Sequence, residues 1–467
     1  MATELSSKGA ITTPVSTKTQ GQLTWLEKVG YAGGDFASCL YFGIFMNFLS
    51  YYYTDVFGIT SVAVGTMIFV TRTWDWINDI IMGILADRTQ TKMGKFRPWI
   101  LWMMGPYAII GVMAFTTFDL SPSGKLIYAY ITYTLLTMVY TAINIPYGAL
   151  MGVMTPNSEE RTKLSSYRFI GAFAATFTVS GSMLYLVSFF GGGDDQLGFT
   201  LTVSLYAVIA CAAFMLTFLT SKERVQVKVQ RKSSIAQDFK GLFRNGPWCA
   251  MVLISVMTIL WIAVRGGVTI HYFKYVCGNE HWGSAYLTVS SLVQFMGVMM
   301  TAKITMWFGS KKAAYFWLNL ISAGFMLSFF WIPTDNLTLI LIHQGLSSLI
   351  AAPLMPMFWS MIADTADYGA QKLNQRSTGL LFSAGTFSQK IGWSIGPAMA
   401  LWILGSIGFE ANVDPSEATI SGLKHIMSTI PATLAMLAAG SVLFYGIGKK
   451  EERELQAFVS GEGTHQH

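Results

Sequence analysis

The chain has 467 residues, 52% hydrophobic and 14% aromatic, with a mean hydropathy of +0.46 and only 12% charged. Soluble proteins carry about 25% charged residues, so these values exclude most soluble enzymes. The formal net charge of +6 comes from basic residues in short segments between apolar stretches, a pattern of membrane topology rather than of nucleic-acid binding.

Residues 1–28 are polar and lack the apolar core of a removable signal peptide. A bilayer core of about 30 Å takes about 20 apolar helical residues, and windows of that kind fall at 29–53, 61–86, 98–118, 124–152, 164–190, 198–220, 247–276, 283–308, 312–332, 336–363, 377–407 and 421–447. The chain reads as an all-α membrane protein of twelve spans. With both termini on one side, the loops and tails of that side hold 23 of the 31 Lys and Arg residues, against Lys125 and Lys424 on the other. Cytoplasmic loops are enriched in Lys and Arg, which predicts both termini in the cytoplasm. The longest polar interruption, near the midpoint, divides the chain into an N-terminal tail (1–28), a six-helix bundle (29–220), a linker (221–246), a second six-helix bundle (247–448) and a C-terminal tail (449–467). Two six-helix halves suggest a transporter with a midplane site between them. An internal echo supports duplication: NSEERTKLSSYRF comes after the fourth window and DYGAQKLNQRSTGLLF after the tenth.

Ionisable residues at membrane depth face partners or aqueous cavities. Asp75 and Asp79 lie four residues apart in TRTWDWINDIIMG, so a helix turns both carboxylates, and nearly Asn78, to one face. Like charges at that spacing repel, so one is protonated or the pair shares a cation, and oxygen ligands suit a hard monovalent ion. A structural alternative pairs one acid with Arg72. In the fourth window Tyr140, Thr141 and Asn144 cluster ahead of Pro146, which breaks helical hydrogen bonding and frees carbonyls. Thr141 suits a cation cage and Asn144 a polyhydroxylated ligand; interhelical bonding is the alternative. Asp35, Arg168, Arg265 and Lys390 are further buried charges, and Lys390 is the candidate to neutralise the acid pair. His271 and Lys274 suit the outer interface, and Trp359 suits sugar stacking or an interfacial belt. Gly148-x-x-x-Gly152 and Gly392-x-x-x-Gly396 permit close helix approach. The four cysteines (Cys39, Cys211, Cys249, Cys277) stand singly, which predicts neither a disulfide framework nor a zinc site. There is no G-x-x-x-x-G-K-[ST] segment, which argues against ATP-driven transport.

From about Trp25 to Ile447 the chain carries GYAGGDFA, YYYTDVFG, WDWINDIIMG, DRTQTKMGKFRPW, YTAINIPYGAL, SYRF, ADTADYG and the lysine of FSQKIG in order. On these it resembles the glycoside-pentoside-hexuronide:cation symporters, and the loop through Gly83, Asp87, Arg88, Gly94 and Lys95 is similar to the major facilitator signature. The resemblance implies a major-facilitator-type fold, with Asp75, Asn78, Asp79 and Thr141 as the cation site and the two aspartates as direct ligands of a monovalent ion. It implies Asp35, Tyr140, Arg168, Trp359 and Thr386 as lining of the sugar pocket, which Asn144 joins, and Lys390 as the coupling residue. Where the melibiose-transporting members carry an aspartate, a tryptophan and a lysine, this chain has Asn144, Gly148 and Gly34. The departures imply a roomier, less negative pocket for a xyloside, another glycoside or an acidic sugar.

The expected function is secondary symport of a sugar (glycoside, pentoside or hexuronide) with a monovalent cation by alternating access, not enzymatic catalysis. Sodium is favoured over a proton or lithium, because Asn78 and Thr141 add neutral oxygens that a proton does not need. No cofactor and no nucleic-acid partner are expected. The expected setting is a monomer surrounded by lipid in a bacterial inner membrane, and the competing function is a non-transporting membrane sugar sensor.

Overall fold

The computed structural model describes residues 22–225, 243–373 and 378–460. The described chain is almost wholly helical: α1 (Trp25–Asn47), α2 (Ser61–Arg88), α3 (Arg97–Ala114), α4 (Pro122–Met154), α5 (Ser158–Gly191), α6 (Asp195–Thr220), α7 (Gly246–Tyr275), α8 (His281–Met299), α9 (Thr301–Phe308), α10 (Lys311–Ser328), α11 (Leu337–Ala351), α12 (Leu354–Leu373), α13 (Thr378–Ser406), α14 (Glu417–Met427), α15 (Thr429–Val442) and α16 (Lys449–Ser460). Several begin where the local sequence supplies a cap for the unsatisfied amides of the first turn. Thr24 and Glu27 form a reciprocal capping box on α1. Ser121 caps α4 ahead of Pro122, and Asn245 caps α7 ahead of Pro247.

Among the described residues, seven helical segments are long and apolar enough to cross a membrane, or eight if α8 and α9, bent by 61° at their junction, form one span. Helices α1, α2, α3 and α13 fall outside that set. Their charged and semi-polar residues dilute hydropathy, most plainly in α2, which contains Arg72, Asp75, Asp79, Asp87 and Arg88. Most of the expected linker and the ends of both tails lie outside the described residues, as does part of the second echo segment, at 374–377.

Helix α1 packs against α5 and α6, and α3 against α4 and α6; later in the chain α7 packs against α13 and α15, and α10 against α15. The two groups meet where α2 packs on α13 and α5 on α8. Of the two Gly-x-x-x-Gly pairs only the later one is a tight contact. A Cβ on Gly392 or Gly396 would lie 2.6 Å from Ile259 or 2.4 Å from Ala263 on α7, whereas Gly148 and Gly152 face open space.

One apolar core runs through α1–α6 and includes Tyr272 and Phe273 near the end of α7, Tyr286 on α8, Leu404 on α13 and Leu423 on α14. A second, separate cluster gathers around the start of α7 with Met251, Leu318, Met361 and Ala435. The helix groups therefore share an apolar core at the end where α7 finishes.

Polar contacts close that same end. After α1 the backbone widens into a π-helical turn, Tyr52–Val56, in which Asp55 is buried. Its carboxylate accepts from Lys274 Nζ at 2.8 Å and from Tyr275 Oη, and it lies 3.3 Å from His271 Nε2. Asn412, in the left-handed region at φ 60°, a conformation that asparagine tolerates, donates from Nδ2 to the Asp55 carbonyl and accepts from Lys274, both at 2.7 Å. At the opposite end Glu223 accepts from the backbone amides of Lys95, Phe96 and Arg97 at 2.7–3.0 Å. A carboxylate there complements the positive end of the α3 dipole.

Candidate functional site

The carboxylates of Asp75 and Asp79 stand one turn apart on the face of α2 that meets α4 and α13. Thr141 on α4 donates from Oγ1 to Asp75 Oδ1 at 2.7 Å and lies 3.3 Å from Asp79 Oδ1. Lys390 on α13 reaches the other side of the pair, 3.1 Å from Asp75 Oδ2 and in contact with Asp79 Oδ2. Asn78 is buried, and its Nδ2 lies 3.5 Å from the Met138 carbonyl. Arg72 does not pair with either acid: its Nε donates to Tyr133 Oη at 2.9 Å, and its guanidinium lies over the Phe45 ring. Asp75, Asp79, Thr141 and Lys390, drawn from three helices and spread over more than 300 positions, thus form one ion cluster. The formal charge of the two aspartates and one lysine is −1, the value that a monovalent cation neutralises.

The residues expected to line a sugar pocket form smaller groups. Arg168 on α5 makes a bidentate pair with Asp35 on α1, at 2.5 and 3.2 Å, with its guanidinium over the Tyr147 ring at 5.1 Å. Bidentate guanidinium to carboxylate contacts are both strong and directional. Gly34 makes room for that arrangement, since a Cβ there would lie 2.3 Å from the Tyr147 ring. Tyr140 packs against Phe45 and Tyr107. Asn144 bonds back to the Tyr140 carbonyl at 3.0 Å, and open space lies beside Gly148 one turn on. Trp359 on α12 stacks on Phe382 with centroids 5.9 Å apart, which occupies one of its faces. Thr386 is exposed one turn from Lys390 and bonds to the Phe382 carbonyl.

A cavity of about 300 Å³ lies beyond these groups toward the Asp55 end, lined from both helix groups by Phe42, Thr176, Trp261, Arg265, Gln344 and Trp393 among others. Its lining includes none of the residues selected for sugar contact. The Asp55 network was also missed. His271 and Lys274, expected at the outer interface, are bound to Asp55, and His271 is fully buried. The only local signal was an aspartate near a span end in YYYTDVFG.

The chain belongs to the MFS/sugar transport protein family, which it matches over residues 30–449. It is 36% identical over 414 residues to the inner membrane symporter YicJ of Escherichia coli (strain K12), covering 88% of this chain and 90% of that protein. It is 32% identical over 464 residues to the isoprimeverose transporter of Lactiplantibacillus pentosus, covering 96% and 94%. The fold is similar to the solved structure of a bacterial homolog of the human lysosomal transporter Spinster, with a TM-score of 0.65 at 11% identity over 92% of this chain and 97% of that one. Its family and relatives are transporters, so the chain is a sugar-transport protein and not an enzyme.

Proposed function

We propose that this chain is a twelve-helix symporter of two six-helix halves, 29–220 and 247–448, that moves a glycoside inward with sodium across a bacterial inner membrane. Both termini are cytoplasmic, as the distribution of Lys and Arg supports. Asp75 and Asp79 hold the cation, with neutral oxygens from Asn78 and Thr141, and the pocket around Asp35, Tyr140, Asn144, Arg168, Trp359 and Thr386 takes the sugar. The names of the relatives, a symporter and an isoprimeverose transporter, support a glycoside as cargo.

One observation carries the mechanism: Lys390 reaches from α13 across to both acids of α2. Without a cation, the ammonium bridges to both carboxylates and offsets one of their two charges. An entering cation takes over that charge and releases Lys390, and the sugar then completes a compensated site that can reorient. With the cation bound and no sugar, the released Lys390 ammonium is left without a partner in low dielectric, which is costly. The halves therefore rock only when both ligands are bound or both are absent, and that condition is coupling. The network around Asp55 closes the outer end.

Sugar uptake into proteoliposomes with and without a sodium gradient at fixed pH tests the cation, and equal rates refute sodium coupling. Accumulation against a gradient by the Asp75→Ala or Asp79→Ala variant refutes the site.

A further inference from the structure

Helices α2 and α13 run antiparallel along one seam, and that seam carries both the ion cluster and a part of the outer closure. Helix α2 begins just after the π-helical turn of Asp55 and α13 ends just before Asn412, so their meeting ends lie beside the Asp55 network. From there inward, Val62 meets Gly405, Gly65 and Thr66 meet Trp402, Trp76 meets Phe387, and Asp75 and Asp79 meet Lys390. The register is continuous from the closed end to the charges.

Two glycines let the helices approach so closely at the outer end. A Cβ on Gly65 would lie 3.0 Å from the Ala398 carbonyl oxygen and 3.0 Å from Trp402 Cδ1, and a Cβ on Gly405 would lie 2.3 Å from Val62 Cγ2 and 3.0 Å from Ser61 Oγ. Carbon atoms meet their neighbours at about 3.5–4.0 Å, so a side chain at Gly65 presses on the backbone of the facing helix, which has no rotamer to yield. Trp402 Nε1 donates to Thr66 Oγ1 at 3.1 Å across the same contact, and its ring packs on Phe69 with centroids 5.7 Å apart. Glycine inside a helix is destabilising relative to alanine, so both positions give up helix stability for this approach. Gly83, near the other end of α2, faces open space.

Helix α2 is unbroken from Ser61 to Arg88, and at 1.5 Å per residue Asp75 lies about 15 Å along it from Gly65. Pressing the outer ends of α2 and α13 together therefore also brings the Lys390 ammonium against Asp75 and Asp79, and parting them draws it back. A cation competes with that ammonium for the same oxygens.

We propose that Gly65 and Gly405 are positioning residues for cation coupling: by letting α2 and α13 close to backbone distance at the outer end, they seat Lys390 on the acid pair and lower cation affinity as the protein turns inward. Closure of the outer seam is then the step that expels the cation toward the cytoplasm. The inference rests on the reading of the Asp75 and Asp79 cluster as the cation site, and it adds residues that touch neither the cation nor its ligands.

The test is a calorimetric sodium titration of the purified full-length protein, repeated with lithium. Gly65→Leu wedges the seam and is expected to raise cation affinity about fivefold or more, with Gly65→Ala between it and the wild type. In a Lys390→Met protein the same Gly65→Leu change adds nothing, because the group it displaces is gone, and such non-additivity marks coupled positions. A merely structural glycine would act alike with and without Lys390. In a background without the four native cysteines, Ser61→Cys with Gly405→Cys puts two thiols within disulfide reach. The oxidised protein is expected to bind sodium about fivefold or more weakly than the same sample after reduction, a comparison that involves one folded protein only. Equal affinities of the oxidised and reduced forms overturn the inference, and so does failure of the pair to crosslink. A Gly65→Leu gain that persists in full without Lys390, or an unchanged affinity in a Gly65→Leu protein that elutes as the wild type does, overturns it too. Wild-type and Lys390→Met proteins that bind neither ion refute the reading of the cluster as the cation site, and the inference falls with it.

Discussion

Replacing Lys390 with methionine removes the ammonium and keeps the bulk of the stem, and the structure sets both sign and size of the effect on cation binding. In the cation-free protein the lysine competes for the oxygens that a cation needs, so its loss tightens cation binding. The side chains of the three partners are between 12% and 28% exposed, so the pairing lies between a surface ion pair at about 0–1 kcal/mol and a buried one whose disruption costs about 3–5 kcal/mol. Taking about 1–3 kcal/mol for the withheld energy, sodium affinity rises about 5- to 150-fold. The assay is a sodium titration of purified protein by calorimetry at constant ionic strength, with choline as the replacing ion. Sodium-driven accumulation of sugar is lost at the same time, because the group that reports an empty cation site is gone. Sodium binding that is unchanged or weaker in a well-folded Lys390→Met protein refutes the competition on which the mechanism stands.

Thr141→Val deletes the hydroxyl shared by the two acids; with hydrogen bonds to charged groups at about 1.5–3 kcal/mol, sodium affinity is expected to fall about tenfold or more in the same titration. Arg168→Gln leaves Asp35 without its bidentate partner. Breaking a partly buried pair is expected to cost about 2–3 kcal/mol, seen as a lowered unfolding midpoint in detergent together with loss of sugar binding. Asp55→Asn weakens the closure by Lys274 and Asn412; in a background without the four native cysteines, Ser347→Cys in the cavity lining is expected to react faster with an impermeant thiol reagent from the outer side. Glu223→Gln removes a charge that accepts three amides at the start of α3, and a destabilisation of about 1–2 kcal/mol is expected in thermal unfolding.

Apolar windows made most helices legible because a bilayer demands length and hydropathy from each segment separately. Helical period likewise puts Asp75 and Asp79 on one face of α2 without any tertiary information. Which distant group meets that face is a tertiary matter: Lys390 lies 315 and 311 residues away from the two acids. Charge balance and the family resemblance pointed to it, and no local pattern did. Asp35 and Arg168 were each recognisable as buried charges, yet nothing local said that they pair. The Asp55 network was illegible for another reason. Its placement needs a π-helical turn, and a run of tyrosines reads equally well as ordinary helix. The glycine pairs show the same limit, since Gly148 and Gly392 sit in identical spacings but only the latter has a helix against it.

The widened turn at Tyr52–Val56 ties the closure around Asp55 to peptide register as well as to side-chain charge. A residue added to or removed from helical backbone swings the succeeding residues by about 100°, and the aim of Asp55 toward Lys274 swings with them. Exchanging the two charges between the partners would leave the register untouched, whereas deleting a single residue there would unhook the latch with every ionisable group still present.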